Sequence, residues 1–600
     1  MPEFDPPFMS QGFSRRSALR RLGAAASGAV LLPVSALLPG TALGQTTTGG
    51  SSTPSRPKNI IFMVSDGMSL GVPVLAEQFS QMVRRTGTQW HQLIRQPATT
   101  GQGFFDMSSL NSLVTDSAAA STSWGGGSRV LNGAINSLPD GTAMAPILRL
   151  AKDCGVRTGL VTTATVTHAT PAGFGASVTR RGDEPDIAPQ YKGVVDVIMG
   201  GGRPFFEAGT RVDKRDVTGE FRTDGYSVLH SRSDLLAARG QSKMLGLFYG
   251  SHMPYTIDHR NDPKLLESVP TLAEMTEHAL HALKNAPQGF LLQVEGARID
   301  HAGHANDAGS ILWEQLAFDD AVGVALAFAM EYPDTLVVIT SDHGNSNPGL
   351  NGTGGSYAKS NDCFRALGLA KASYDKMGKS IVKELVTAMA KSGKPALKPE
   401  VTAENAKLIQ QCVLGGLGLE LVPEDGLAIL RALSGEKVEC RAGQKANMAG
   451  LMGDIMSNYN GIGWTGTSHT SDYTTILTVG PGREALYGLH QNTDAFALMA
   501  EVFGITHRNP TAPIVNPVVT PATGDNSPAR RIDSVATENG RPVGHPEFLA
   551  YMEERSVTTS ARARPKADAS QEVIPNWLEE AHSAFAAIEQ LGTSVALEPA

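Results

Sequence analysis

The chain has 600 residues, 41% hydrophobic and 18% charged, with Lys+Arg 51 against Asp+Glu 59, a net charge of −8. That length holds several domains or one elaborated α/β enzyme domain, and the apolar share builds a substantial core, so disordered, collagen-like and coiled-coil classes are excluded. The acidic balance argues against a nucleic-acid binder, which needs a net basic face.

Residues 1–44 read as an export signal and are set aside from the fold. Ser14-Arg15-Arg16-Ser17-Ala18-Leu19-Arg20 is a twin-arginine pattern, followed by an apolar run from Leu22 to Leu38 and small residues at Ala42 and Gly44. Gly and Pro interrupt the run, which is short for a spanning helix, so cleavage near Gly44 is expected over a membrane anchor. The processed chain is expected to carry no stable membrane span and to be periplasmic or secreted. Residues 45–57, rich in Thr, Ser, Gly and Pro, read as a flexible linker.

The ordered chain is expected over 58–507. Asn59-Ile60-Ile61-Phe62-Met63-Val64 is a continuous apolar run ending at Ser65-Asp66-Gly67, the pattern of a buried parallel strand with a polar group at its carboxyl end. The same grammar returns in Gly159–Thr163 running toward His168, Phe290–Val294 ending at Glu295, Thr335–Ile339 ending at Asp342-His343, and Thr475–Val479 ending at Gly480-Pro481. Helical periodicity over Ala145–Asp153, Thr271–Lys284 and Ile311–Met330 alternates with these runs. The alternation predicts an α/β fold, a doubly wound, mainly parallel sheet with helices on both faces, in which ligands sit beyond the carboxyl ends of the strands.

Residues 345–463 interrupt the alternation with a Gly-rich loop and helical segments near Tyr374–Ser392, Ala403–Leu414 and Glu424–Leu433, and are expected to form an inserted cap. Residues 508–600 are expected to be a C-terminal extension, a Pro/Thr-rich linker leading to an amphipathic helix marked by Trp577, Leu578, Ala581, Phe585 and Ile588, packed on the main domain. The four cysteines make no zinc pattern; Cys412 with Cys440 is the first candidate disulfide, and buried free thiols are the alternative.

The chemistry-bearing residues cluster at the strand ends. In Val114-Thr115-Asp116-Ser117-Ala118-Ala119-Ala120, Ser117 precedes a run of small helix formers, where free N–H groups favour an anion, although a Ser or Asp there also serves as an ordinary N-cap. No G-x-S-x-G elbow surrounds it, so metal coordination is the available means of activation. Asp300 and His304 stand at i,i+4 and would share one face of a helix as a Zn²⁺ pair. Asp342-His343, Asp66 and His469 add further imidazole and carboxylate donors. Singly, each is equally readable as a turn or core residue; together, at strand ends, they point to a metal centre.

The segments Asp66-Gly67-Met68, Thr115-Asp116-Ser117-Ala118-Ala119, His168-Ala169-Thr170-Pro171-Ala172, Val294-Glu295-Gly296 through His304, Ser341-Asp342-His343 and His469-Thr470 occur in an order and spacing that resemble the alkaline phosphatase family over about residues 58–505. The resemblance implies a metal-dependent phosphate monoester hydrolase that passes through a phosphoserine on Ser117. It implies Asp300, His304 and His469 as ligands of one zinc, Asp66, Asp342 and His343 as ligands of a second, and Asp66, Thr170 and Glu295 around a third site, usually magnesium. Arg181, thirteen positions after His168, would clamp the phosphate, with Arg180 as the fallback; a planar guanidinium matches two phosphate oxygens. Family members vary at the positions of His168 and His301. An imidazole at position 168 would make zinc or cobalt an alternative to magnesium at the third site, and His301 would reach phosphate through water. The expected partners are small phosphomonoesters, and a homodimer is common in the family. Rival expectations are a phosphodiesterase, which commonly uses Thr and lacks the arginine clamp, a sulfatase, which needs a C/S-x-P-x-R setting absent around Ser117, and a catalytically silent exported metal-binding module.

Overall fold

A computed structural model describes residues 56–392, 398–437 and 447–512. The expected export signal, nearly all of the linker, the Cys412–Cys440 pairing and the amphipathic helix at 577–588 lie outside the described residues. Ten strands form one sheet: β1 (Asn59–Ser65), β2 (Thr100–Asp106), β3 (Arg157–Thr165), β4 (Val197–Gly201), β5 (Ser227–Leu229), β6 (Met244–Leu247), β7 (Phe290–Gly296), β8 (Thr335–Thr340), β9 (Thr474–Val479) and β10 (Gly488–Gln491). Their spatial order is β10-β2-β9-β8-β1-β7-β3-β4-β6-β5.

The centre of the sheet follows from its apolar runs. In β1 every residue is buried, and alternation sends Ile61 and Met63 to one face and Ile60, Phe62 and Val64 to the other. The first face is covered by the helices Gly71–Arg84, Leu272–Leu283 and Ala308–Glu331; the second by Ser117–Gly126, Ile147–Asp153, Ala169–Gly175 and Asp494–Phe503. On the second face Phe62 meets Trp124 and Phe174 at ring distances of 5.1 and 5.4 Å. The fold is therefore the expected doubly wound α/β architecture.

One expectation is corrected in direction. Thr475–Val479 carries the grammar of the parallel strands, yet β9 runs antiparallel to both β8 and β2. The reversal places the amino end of β9, with His469 just before it, at the edge where β1, β7 and β8 present their carboxyl ends. Beyond β8 the chain leaves through two narrow ribbons: Gly344–Asn345 pairs with His469–Thr470, and Gly349–Leu350 with Ile462–Gly463. Between them lie the helices Lys359–Ala366, Tyr374–Ser392, Ala403–Leu417, Pro423–Leu433 and Met448–Asn460. No helix of the described residues is long and apolar enough to cross a membrane.

Candidate active site

Each candidate is delivered by the end of an element. Asp66 follows β1, and Gly67 turns the chain at φ +68; a Cβ there would lie 2.5 Å from Asp300 Oδ1 and 2.7 Å from Asp300 Cα, so only glycine lets the two segments approach. The Gly67 amide donates to Asp342 Oδ1 at 3.0 Å, and the Met68 amide to Ser341 Oγ at 3.0 Å, which ties the ends of β1 and β8 together. Ser117 is the first residue of its helix, with Asp116 as N-cap accepting from the Ala119 amide at 2.9 Å. Asp300 and His304 share one face of the short helix Arg298–His304, with His304 Nε2 3.3 Å from Asp300 Oδ2.

These groups meet in a buried cluster. Asp66, Ser117, Glu295 and Asp342 are wholly buried, and Asp300 and His343 are 1% exposed. His343 Nε2 lies 3.1 Å from Ser117 Oγ, 3.0 Å from Asp342 Oδ2 and 3.8 Å from Asp66 Oδ1. In a Ser-His-Asp triad the serine and the carboxylate engage opposite ring nitrogens. Here both face the same nitrogen, with Asp300 Oδ1 4.0 Å from Nδ1 on the other side, so the groups converge around the ring.

A second convergence involves His304 and His469. His304 Nδ1 donates to the Thr467 carbonyl at 2.8 Å and His469 Nδ1 to the Thr115 carbonyl at 2.9 Å. Each neutral ring therefore keeps its lone pair on Nε2. Those two Nε2 atoms face one another at 3.0 Å, with His469 Nε2 also 3.6 Å from Asp300 Oδ1. These nitrogens and the carboxylate are donors that could hold a divalent cation, with both rings oriented by outer carbonyls. Donor atoms of Asp300, His343 and His469, of Asp66, Asp342 and His343, and of Asp66, His168 and Glu295 lie within 4.8 Å of one another in three overlapping groups.

Electrostatics agree with this arrangement. Burial pushes the Glu295 carboxyl above its ordinary value, against the attraction of His168 and a hydrogen bond from Thr162 Oγ1. At Asp342 burial also opposes ionisation, but the charge and hydrogen bond of His343 and the Gly67 amide bring its carboxyl net below the usual range. Four carboxylates packed this closely repel one another unless cations offset them. Thr170 Oγ1 lies 3.4 Å from Asp66 Oδ2, beside the third group. Arg181, 9% exposed, places Nη1 3.2 Å from Asp116 Oδ2 and Nη2 3.1 Å from His168 Nε2. Arg180 points outward, its side chain 46% exposed and paired with Asp183. Ser117, Arg181 and the eight metal-ligand candidates named from the sequence thus lie in one buried cluster, whereas Arg180 lies outside it.

Three supporting contacts were not legible in the motifs, although the N-cap position of Asp116 was. Asn345 Nδ2 donates to Asp300 Oδ1 at 2.6 Å and to the Asp300 carbonyl at 3.1 Å. Thr162 holds Glu295, and Asp116 both caps the Ser117 helix and holds Arg181. The position of Asn345, three residues after Asp342, was the only available signal for it.

The alkaline phosphatase family model matches residues 57–505. Alkaline phosphatase 3 of Bacillus subtilis is 30% identical over 449 residues, 73% of this chain and 87% of that protein. Alkaline phosphatase 4 of the same organism is 30% identical over 484 residues, 77% of this chain and 94% of the relative. The crystal structure of Thermus thermophilus alkaline phosphatase superposes with a TM-score of 0.68 at 33% identity, covering 77% of this chain and 94% of that one. The chain belongs to the alkaline phosphatase family and is a phosphatase acting on phosphate monoesters.

Proposed function

We propose that the protein hydrolyses phosphate monoesters through a phosphoserine at Ser117, with two zinc ions and a third cation held by the buried donor groups. The observation that carries this is the convergence of Ser117 Oγ, Asp342 and Asp66 on His343 Nε2, beside the paired Nε2 atoms of His304 and His469. Asp300, His304 and His469 would hold one zinc, and Asp66, Asp342 and His343 the other; imidazole nitrogen and carboxylate oxygen are zinc's preferred donors. Bound there, such ions supply the Lewis acidity that lowers the pKa of a hydroxyl or water and offsets charge on attacking and leaving oxygens.

The chain's own part is positioning. Ser117 Oγ gives its proton to solvent and attacks phosphorus, the new O–P bond forms as the ester bond breaks, and the alcohol departs with a proton from solvent. Water then cleaves the Ser117 Oγ–P bond, releasing inorganic phosphate and restoring the serine. Arg181, held by Asp116 and His168, directs its remaining N–H donors at the phosphoryl oxygens. Asp66, Thr170 and Glu295 would hold the third cation. Because Arg181 has only donors, His168 Nε2 accepts from it, and His168 also stands with Asp66 and Glu295 in the third group, so magnesium and the softer alternatives zinc and cobalt are both candidates for this site.

The test uses the processed chain with p-nitrophenyl phosphate, a diester and a sulfate ester. Expected are monoester turnover lost on chelation and restored by zinc plus magnesium, and burst labelling by a radiolabelled phosphate donor that disappears in Ser117→Ala. Undiminished labelling in that variant rejects the mechanism; turnover of the diester or sulfate alone rejects the substrate class. From the sequence alone we also propose export by the twin-arginine route and homodimer assembly. Replacing Arg15 and Arg16 by Lys should strand the phosphatase in the cytoplasm, and unchanged export counts against the signal.

A further inference from the structure

We propose that Asn132 is a positioning residue: it fixes the Thr115 carbonyl against His469 and thereby aims His469 Nε2 at the other donors of the proposed zinc site. The inference rests on the phosphatase function above. Residues 107–116 join β2 to the Ser117 helix without any regular element, so no ladder or helix holds their backbone. Peptide groups in such a stretch need other partners. The Asn132 side chain supplies them on both sides of Thr115: its Nδ2 donates to the Val114 carbonyl at 3.0 Å, and its Oδ1 accepts from the Asp116 amide at 3.1 Å. A carboxamide carries a donor and an acceptor on one planar group, so it satisfies both peptide groups at once. Thr115, between them, is 3% exposed, and its carbonyl accepts from His469 Nδ1 at 2.9 Å. With that bond in place, His469 Nε2 stands 3.0 Å from His304 Nε2 and 3.6 Å from Asp300 Oδ1.

Asn132 is itself firmly seated. Its amide donates to Asn111 Oδ1 at 3.0 Å, the Leu110 amide to the Val130 carbonyl at 2.9 Å, and the Arg181 amide to the Gly133 carbonyl at 2.7 Å. Val130 and Ala134, on either side of the turn, are buried with Leu110, Ala119 and Met144. The Gly133 amide holds Asp116 Oδ2 at 2.9 Å through backbone alone, so a side-chain change at position 132 leaves that tie in place. One turn thus reaches the arginine clamp through its main chain and the histidine ligand candidate through a side chain, and the two links can be separated by mutation.

The test reads zinc affinity rather than turnover. The processed chain, stripped of metal, is titrated with zinc against a chromogenic chelator. In Asn132→Ala one of the two zinc ions should bind about 10–100-fold more weakly, the scale of losing an outer partner of a ligand, while the other stays within about threefold of native. In a His469→Ala background, Asn132→Ala should weaken zinc no further. Native affinity at both ions in Asn132→Ala overturns the proposal. So does an equal loss at both, the mark of general loosening, or an undiminished loss in the His469→Ala background. If Asn132→Ala does not fold, Asn132→Ser, whose shorter side chain cannot span both peptide groups, carries the same titration, with the one-ion weakening expected and native affinity against it. Absence of p-nitrophenyl phosphate turnover by the zinc-loaded unmutated enzyme would reject the function above, while the affinity comparison still decides the role of Asn132.

Discussion

The substitution Gly173→Ala tests whether the helix bearing Ser117 is set by contact with the helix bearing Thr170. A Cβ at Gly173 would stand 2.2 Å from Ser121 Oγ, 2.6 Å from Ser121 Cβ and 2.7 Å from its carbonyl carbon. Carbon atoms rest about 3.5–4.0 Å apart, so the helices Ser117–Gly126 and Ala169–Gly175 must separate by about 1 Å. Overpacking of that size costs about 1–3 kcal/mol, a drop of a few degrees in Tm. The separation also stretches the tie from Ser121 Oγ to the Ala169 carbonyl, 2.9 Å in the native fold. Ser117 then moves relative to the group around Asp66 and Thr170, and an about 1 Å misplacement of reacting groups costs about a hundredfold in rate. The assay is kcat for p-nitrophenyl phosphate at saturating zinc and magnesium, with a thermal melt on the same samples. Ser121→Ala should not rescue the loss, because the backbone carbonyl carbon is as close as the side chain. A Gly173→Ala enzyme with native kcat and native Tm would refute the contact argument.

Arg181→Ala should lower kcat/KM for monoesters by about 30-fold or more through loss of a two-pronged phosphate contact, and weaken inhibition by free phosphate, whereas Arg180→Ala should leave both near native; equal effects would remove the distinction between them. Thr162→Val deletes the hydrogen bond that orients Glu295, so the magnesium concentration for half-maximal activation should rise about 10–100-fold, and an unshifted magnesium titration counts against that role. Burial pushes Asp319 and Glu314 up to about 7 and Asp307 up to about 6, so the folded state keeps protons that the unfolded chain releases near pH 4. Their contribution favours the fold below pH 4 and is lost as pH rises through about 6–7, so urea stability should fall between pH 5 and pH 8 by on the order of several kcal/mol. Asp319→Asn should flatten part of that slope, and an identical slope in the variant would place the titration elsewhere.

Much of the fold was readable because its centre is fully buried. Runs such as Ile60–Val64 and Leu336–Ile339 have no polar face, so they show in sequence without needing context. The outer strands were missed for the converse reason: β2, with the sequence Thr-Gly-Gln-Gly-Phe-Phe-Asp, and β5, three residues long, take their conformation from neighbours. The direction of β9 was equally hidden, since a buried strand reads the same in either orientation. At the site, metal-type donors could be found by residue type and order, because their chemistry restricts them to His, Asp and Glu. Asn345 and Thr162 act on those donors, and Asp116 on Arg181, through hydrogen bonds that common polar residues make everywhere, and only the folded geometry distinguishes these contacts.

The ribbon that pairs Asn345 with His469 has a consequence for biosynthesis. Most of the proposed donors leave the ribosome before the helical excursion begins, but the final imidazole follows it and is placed by the pairing of His469 with Asn345. On the proposed assignment a nascent chain would carry an incomplete donor set, and cation binding would be coupled to completion of the fold.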